Sequence, residues 1–287
     1  MNHFLRRMTG LMLLMMLLTT PALCEGLEPL PIDDSPSPVA KAECYLPDLA
    51  GYEDESLSVK IETTRLYDTT IMIARVKVAH PSQIRTAMTA RYGTKTTTHP
   101  HKLAKRVNAI FAINGDFFNY HSQGYLVRQG QLYRDRTNAT YDVLIIDDQG
   151  DFHILVDPTE EATQGFKGTI INSFNFGPAL VVNGEIVETT KVINVGLQKA
   201  TQRMAIGQVG PLEYICVATE GPENEGSVGL TIPQIAQLMK DLGATQAYNL
   251  DGGSSSAMVL GGEKINALSS RKLRPICDIL YFATLVR

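Results

Sequence analysis

"TIPQIAQLMKDLGATQAYNLDGGSSSAMVL" (residues 231–260) carries a helix, a strand, a polar turn and a second apolar run in succession. Thr231 followed by Gln234 is a capping-box pattern. Ile232, Ile235, Ala236, Met239 and Leu242 then recur at helical spacing, and Gly243 supplies the stop. "AYNL" reads as a strand. It runs into Asp251, Gly252, Gly253, Ser254, Ser255 and Ser256 before the chain turns apolar again. A carboxylate and small polar groups between two core strands have two readings. Glycines let amides approach a ligand, and successive N–H groups with serine hydroxyls form an anion-binding nest. The other reading is a tight hairpin with a capping aspartate. GxxxxGK[ST] is absent, so the turn is not a P-loop.

A second segment, "AIFAINGDFFNY" (109–120), repeats the pattern: an apolar run ends on Asn114, Gly115 and Asp116, followed by two phenylalanines. Phe117 and Phe118 can exclude water and raise a neighbouring carboxyl's pKa, although an ordinary turn aspartate fits too. Two carboxylates facing one cavity suit acid–base work on a glycosidic bond, so we expect these two strand ends to meet at one site. In "QRMAIG", Arg203 stands in an otherwise apolar strand. Its planar fork suits a phosphate or carboxylate ligand, or a structural salt bridge. Arg274 is a weaker candidate for the same role and reads more readily as structural; His121 is the histidine near a motif and reads more readily as a surface residue. HExxH and GxSxG are absent, so neither that zinc-protease motif nor a serine-hydrolase nucleophile elbow is indicated.

Working outward, "SLSVKIETTRLYDTTIMIARVKVAH" alternates with period two and reads as strands. "YLVRQGQLYRD", "YDVLIIDDQGDFHILV" and "ALVVNGEIVE" read as hairpins with Asn/Asp/Gly tips. "PSQIRTAMTARYG" and "HPHKLAKRVN" read as short helices, and "RPICDILYFATLV" as the last strand. The class is therefore α+β: a mixed, mostly antiparallel β-sheet core flanked by a few helices.

The chain has 287 residues, 44% hydrophobic and 20% charged, with a net charge of −4. This is globular composition and argues against a general nucleic-acid binder, which would be basic. Arg6 and Arg7 precede the apolar run Leu11–Leu18, the pattern of a signal peptide over residues 1–24. That run falls short of the ~20 residues a membrane-spanning helix needs. Export to the cell envelope or the extracellular space is the expectation, with no transmembrane segment left after cleavage; an uncleaved anchor is the alternative. Residues 25–45, rich in Pro, Ser and acid, read as a solvated linker, and 46–287 as one folded domain. Cys216 and Cys277 read as buried core thiols rather than a bridge.

In order, "AINGDFF", "NFGPALVVNGEI", "RMAIG", the 229–259 segment around "NLDGGSSS" and "RPICDILYF" resemble the phosphodiester glycosidase family. The resemblance covers roughly residues 57–287 and looks like an exported bacterial member. It implies cleavage of a sugar-1-phosphodiester at the C1–O bond, releasing a sugar and a phosphomonoester, with a cell-wall or exopolysaccharide glycan as the partner. Asp116 stands where the family usually has a second glycine, and Glu220-Gly221-Pro222 where Asp-Gly-Arg is usual. On this reading Asp251, Asp116 and Glu220 are the catalytic candidates. Arg203, Asn114, Gly252, Gly253, Ser254, Ser255 and Ser256 would hold the phosphate and sugar. No cofactor is implied; the carboxylates leave room for a calcium ion, without EF-hand-like spacing. Two rivals are a phosphodiesterase cutting P–O in the same pocket and a noncatalytic glycan-phosphate binding module.

Overall fold

Side-chain alternation decides the layering. In the strand Thr69–Val78, Ile71 and Ile73 enter one apolar cluster while Ala74, Val76 and Val78 enter another. The strand Phe111–Asn114 does the same: Phe111 and Ile113 face the central cluster and Ala112 the outer one. Strands buried on both faces need a covering layer on each side. These belong to a computed structural model that describes residues 27–188, 196–222, 224, 226–267 and 273–287. The expected signal peptide lies outside the described residues.

The larger sheet has eight strands, in the order Gly51–Glu53, Leu57–Leu66, Thr69–Val78, Glu213–Thr219, Met204–Gly210, Gln246–Leu250, Ala179–Val182 and Glu185–Ile186. A second sheet has five: Glu263–Lys264, Met258–Leu260, Phe111–Asn114, Asp278–Phe282 and Ile84–Met88. A three-stranded sheet (Ile170–Phe174, Val143–Asp147, Phe152–Leu155) and the hairpin Gly124–Arg128/Gln131–Arg136 complete the β structure. Every strand pairing among the described residues is antiparallel. The main core lies between the sheets, joining Val76, Ile206 and Leu250 of the larger one to Phe111, Met258 and Phe282 of the smaller one and to Leu144 and Phe174.

The outer faces are covered by helices. Ile232–Asp241 lays Ile235, Ala236 and Met239 on Ile71, Ala205 and Val217 of the larger sheet. Both bonds of its capping box form: Gln234 N donates to Thr231 Oγ1 at 3.3 Å and Thr231 N to Gln234 Oε1 at 2.9 Å. Pro100–Arg106 places Leu103 and Ala104 on Ala112, Val259 and Ile279 of the smaller sheet. No helix among the described residues is long and apolar enough to cross a membrane.

Two expectations are corrected here. "PSQIRTAMTARYG" is not a helix: after a single turn at Pro81–Gln83, Ile84–Met88 is a strand paired with Asp278–Phe282. Ile84 and Ala87 then face opposite layers, which a helix could not achieve at that spacing. The stretch 25–45 is not simply solvated over its described part. Leu30 is buried, and Arg85, 1% exposed, donates to the carbonyls of Pro31 at 2.7 Å and Asp33 at 2.8 Å. A buried guanidinium needs acceptors, and a segment unable to form its own core supplies them. Cys216 and Cys277 are buried free thiols, and Cys44 is partly buried and free.

Candidate active site

The chain leaves the larger sheet at Leu250, turns through residues 251–257 and enters the smaller sheet as Met258–Leu260, which pairs with Phe111–Asn114. That crossover brings the two quoted strand ends together. Asn114 splints them: its Nδ2 donates to the Asp251 carbonyl at 2.7 Å, and its Oδ1 accepts from Ala257 N at 3.0 Å. Expected to touch the ligand, Asn114 is instead fully buried and committed to backbone. Glycine is required on both sides of the junction. A Cβ on Gly252 would lie 2.6 Å from the Gln202 carbonyl oxygen, and one on Gly115 2.4 Å from Asp278 Oδ1.

A cavity of about 420 Å³ opens at this junction. Its polar lining includes Asp116, Asp251, Ser255 and Arg274; Phe117, Phe176 and Tyr120 supply aromatic surface. Tyr120 is 64% exposed, a wet aromatic face at the rim. Phe117 packs edge-on against Phe176, with centroids 5.0 Å apart.

The two carboxylates differ in their surroundings. Asp251 is partly buried. Burial pushes its pKa above the ordinary carboxylate value, and the Asp116 charge adds to this; the Ser255 hydroxyl, the Arg274 guanidinium and the Gly252 amide act in the opposite direction. The Ser255 hydroxyl is buried beside Asp251 without hydrogen-bond geometry to any protein acceptor. Arg274 is exposed and anchored by its backbone, its N–H donating to the Ser254 carbonyl at 2.9 Å.

Asp116 is held tightly. Its Oδ1 accepts from Phe118 N at 3.1 Å and Arg128 Nη2 at 3.2 Å, and its Oδ2 from Asn175 N at 2.8 Å. Arg128 also reaches Asp278 Oδ2, through Nε at 3.0 Å and Nη2 at 2.6 Å. It donates to the Val127 and Ser173 carbonyls and stacks 4.5 Å from the Phe174 centroid. This buried Asp116–Arg128–Asp278 cluster sits beneath the cavity. Burial raises the Asp278 pKa, opposed by Arg128 and reinforced by Asp116.

The other expected site residues lie elsewhere. The Arg203 guanidinium does not line the cavity; it donates to the carbonyls of Leu230 at 3.0 Å, Gly196 at 3.1 Å and Lys199 at 2.7 Å. Burial lowers its pKa to about 10. Its backbone nevertheless borders the Gly252 turn. Glu220 does not line the cavity either, and its Oε2 accepts from Ser227 Oγ at 2.6 Å. Among the turn residues, Ser255 alone joins Asp251 in the lining. Gly253 N donates to the Gln202 carbonyl at 3.0 Å, while the Ser256 hydroxyl is buried without a partner. His121 is not a surface residue: its ring lies 4.8 Å from both Phe117 and Tyr141, and both ring nitrogens are buried and unpartnered. Among the described residues no three His, Cys, Asp or Glu side chains are placed to share a metal ion.

Arg274, the weaker of the two arginine candidates in the sequence, is the one in the lining. Arg128 sits beside a hairpin tip, with nothing in the local pattern to mark it. Asp278 is a lone charge in "ICDILYF", the same signal that singled out Arg203.

Comparisons with known proteins agree with this architecture. The phosphodiester glycosidase family model matches residues 107–283. The SPβ prophage-derived uncharacterized protein YomE of Bacillus subtilis (strain 168) is 26% identical over 194 residues, 66% of this chain and 30% of that protein. The chain therefore spans under a third of that relative's length. Among solved structures, the catalytic domain of zebrafish N-acetylglucosamine-1-phosphodiester alpha-N-acetylglucosaminidase, auto-inhibited by its pro-peptide, matches with a TM-score of 0.68 and 19% identity, over 81% of this chain and 85% of that one. A hypothetical protein from Synechocystis matches with a TM-score of 0.54 and 16% identity, over 79% and 62%. At these identities the solved structures establish a shared fold. With most of the chain matched by the family model, and the two strand-end motifs joined at one cavity, the chain belongs to the phosphodiester glycosidase family.

Proposed function

We propose that this protein hydrolyses a sugar-1-phosphodiester at the C1–O bond. The observation that carries the reading is the cavity shared by Asp251, Asp116, Ser255 and Arg274 beside Tyr120, Phe117 and Phe176. A phosphodiester brings one negative charge, a sugar face and an anomeric carbon. Arg274 and the Ser255 hydroxyl beside Asp251 meet the first, and the aromatic rim the second. Asp251 meets the third. A phosphomonoester leaves readily, so the harder task is stabilising positive charge on the sugar, which a preorganised carboxylate in a partly dry cavity does. Asp116, fully buried with three donors already on it, keeps the cavity floor in place. The Arg203 backbone borders the Gly252 turn from behind.

The substrate class named for the zebrafish enzyme, an N-acetylglucosamine-1-phosphodiester, is consistent with this chemistry. Export is part of the proposal: the Arg6–Arg7 pair followed by Leu11–Leu18 supports it and places the substrate among envelope or extracellular glycans.

Hydrolysis in ¹⁸O-water tests the bond that breaks. C1–O cleavage puts the label in the released sugar, read by mass spectrometry. Label in the phosphate would replace this reading with a phosphodiesterase attacking phosphorus.

A further inference from the structure

The proposed chemistry leaves a second polar cavity unused. The segment that supplies Phe117 and Tyr120 to the first cavity supplies Phe118, Asn119, His121 and Ser122 to a second, of about 490 Å³. The two share this stretch of chain as a wall. Lys95, Arg134 and Arg136 also line the second cavity.

Arg134 is 7% exposed. Its Nη1 donates to the carbonyls of Phe118 at 3.0 Å and His121 at 2.8 Å, which fixes the plane of the fork. Its Nε and Nη2 are buried without an acceptor in full hydrogen-bond geometry, and Tyr92 of the same lining is the side chain that interacts with the fork. A guanidinium held in place with unmatched N–H groups suits an oxyanion, which can accept from both. Lys95 and Arg136 are exposed and have no ion-pair partner among the described residues. Asp135 is the lone carboxylate in the lining, and its Oδ2 already accepts from Gln164 Nε2 at 3.1 Å. Burial lowers the His121 pKa, so the ring adds no charge at neutral pH. Asp116 also acts on Arg134 but is already paired with Arg128. Positive charge in the lining is therefore in excess, and burial keeps that of Arg134 from being screened as the exposed charges of Lys95 and Arg136 are.

We propose that this second cavity binds an oxyanion, a phosphate carried by the substrate one unit beyond the bond that is cut. Its role in turnover rests on the reading under Proposed function; its capacity to bind an anion does not. A glycan with repeating phosphodiesters would place one phosphate by Arg274 and the next by Arg134, across the wall formed by residues 117–122.

The test has two arms. In the first, the full chain is titrated with inorganic phosphate and followed by residue-resolved amide NMR. Shifts at Arg134 and Arg136 are expected, and the exposed double variant Lys95→Gln/Arg136→Gln should raise the phosphate Kd there roughly tenfold, the scale of losing two exposed cations. Absent shifts, or an unchanged Kd in the double variant, overturn the site. In the second arm, the double variant should raise KM for a substrate bearing two phosphodiesters while leaving kcat, and the KM for a single-phosphodiester substrate, unchanged. An equal rise for both substrates overturns the assignment to the substrate's second phosphate and leaves free phosphate as the ligand. If the wild-type chain turns over neither substrate, the proposed reaction fails, and the NMR arm still decides the site.

Discussion

Asp251→Asn should lower kcat/KM on a sugar-1-phosphodiester by a factor on the order of 10³ without lowering stability at pH 7. The activity loss follows from removing the charge that faces the anomeric carbon. The stability result follows from the direction of its pKa shift. Burial raises the folded-state pKa of Asp251 above its unfolded value, so its contribution to stability is fully present below the unfolded pKa and lost as pH rises through the folded one. At pH 7 the ionised carboxylate is a liability that a neutral amide relieves, and thermal unfolding should give an equal or higher Tm. The same shift sets the activity profile: kcat/KM of the wild type should rise with pH, with a midpoint above the ordinary carboxylate range, as Asp251 ionises. The variant should lose that acid limb. A variant that keeps its activity removes Asp251 from the chemistry. One that loses both activity and stability marks it as structural.

The second large effect is on the fold. Arg128→Met should destabilise the protein by about 3–5 kcal/mol, the range for leaving buried charges without their partner. Arg128 is the cation between Asp116 and Asp278, both of which have fully buried side chains. The loss should deepen with pH. Asp278 already has a raised folded-state pKa, and Arg128 is what opposes the rise. Without it, keeping Asp278 ionised costs more as pH climbs, so denaturant unfolding at pH 8 should show a larger deficit than at pH 5. Adding Asp278→Asn should restore part of the stability, because it removes one of the two stranded charges. Equal deficits at both pH values, with no recovery in the double variant, would mean that the effect comes from lost packing against Phe174 and Phe118.

Much of this architecture was legible because its signals are local. Period-two alternation gave Leu57–Leu66 and Thr69–Val78, and a capped periodic run gave Ile232–Asp241. Glycine beside an aspartate after an apolar run, Gly115 at one end and Gly252-Gly253 at the other, marked both strand ends of the cavity. Ile84–Met88 was missed because its apolar spacing also fits a helix, and only pairing with Asp278–Phe282 decides it. The docked segment after residue 27 was missed because its hold on the domain lies in backbone carbonyls facing Arg85, which no composition reveals. At the cavity, Asp251, Asp116 and Ser255, all singled out by the sequence, share one lining; the cation beside them is Arg274 rather than Arg203. Arg203 in an apolar strand and Arg274 near a proline both fit an anion ligand. Which of them faces the cavity depends on how the Ser254 carbonyl anchors Arg274 and how the carbonyls of Leu230 and Lys199 hold Arg203. Those are contacts between distant segments, invisible in one dimension.

The most direct measurement is a crystal structure with a non-hydrolysable phosphonate analogue of a sugar-1-phosphodiester. The phosphonate oxygens should meet the Arg274 guanidinium and Ser255 Oγ, the sugar should lie against Tyr120, and the anomeric carbon should sit within about 3.5 Å of the Asp251 carboxylate. An analogue seated instead against Arg203 and Glu220, with Asp251 out of reach of the sugar, would contradict the account.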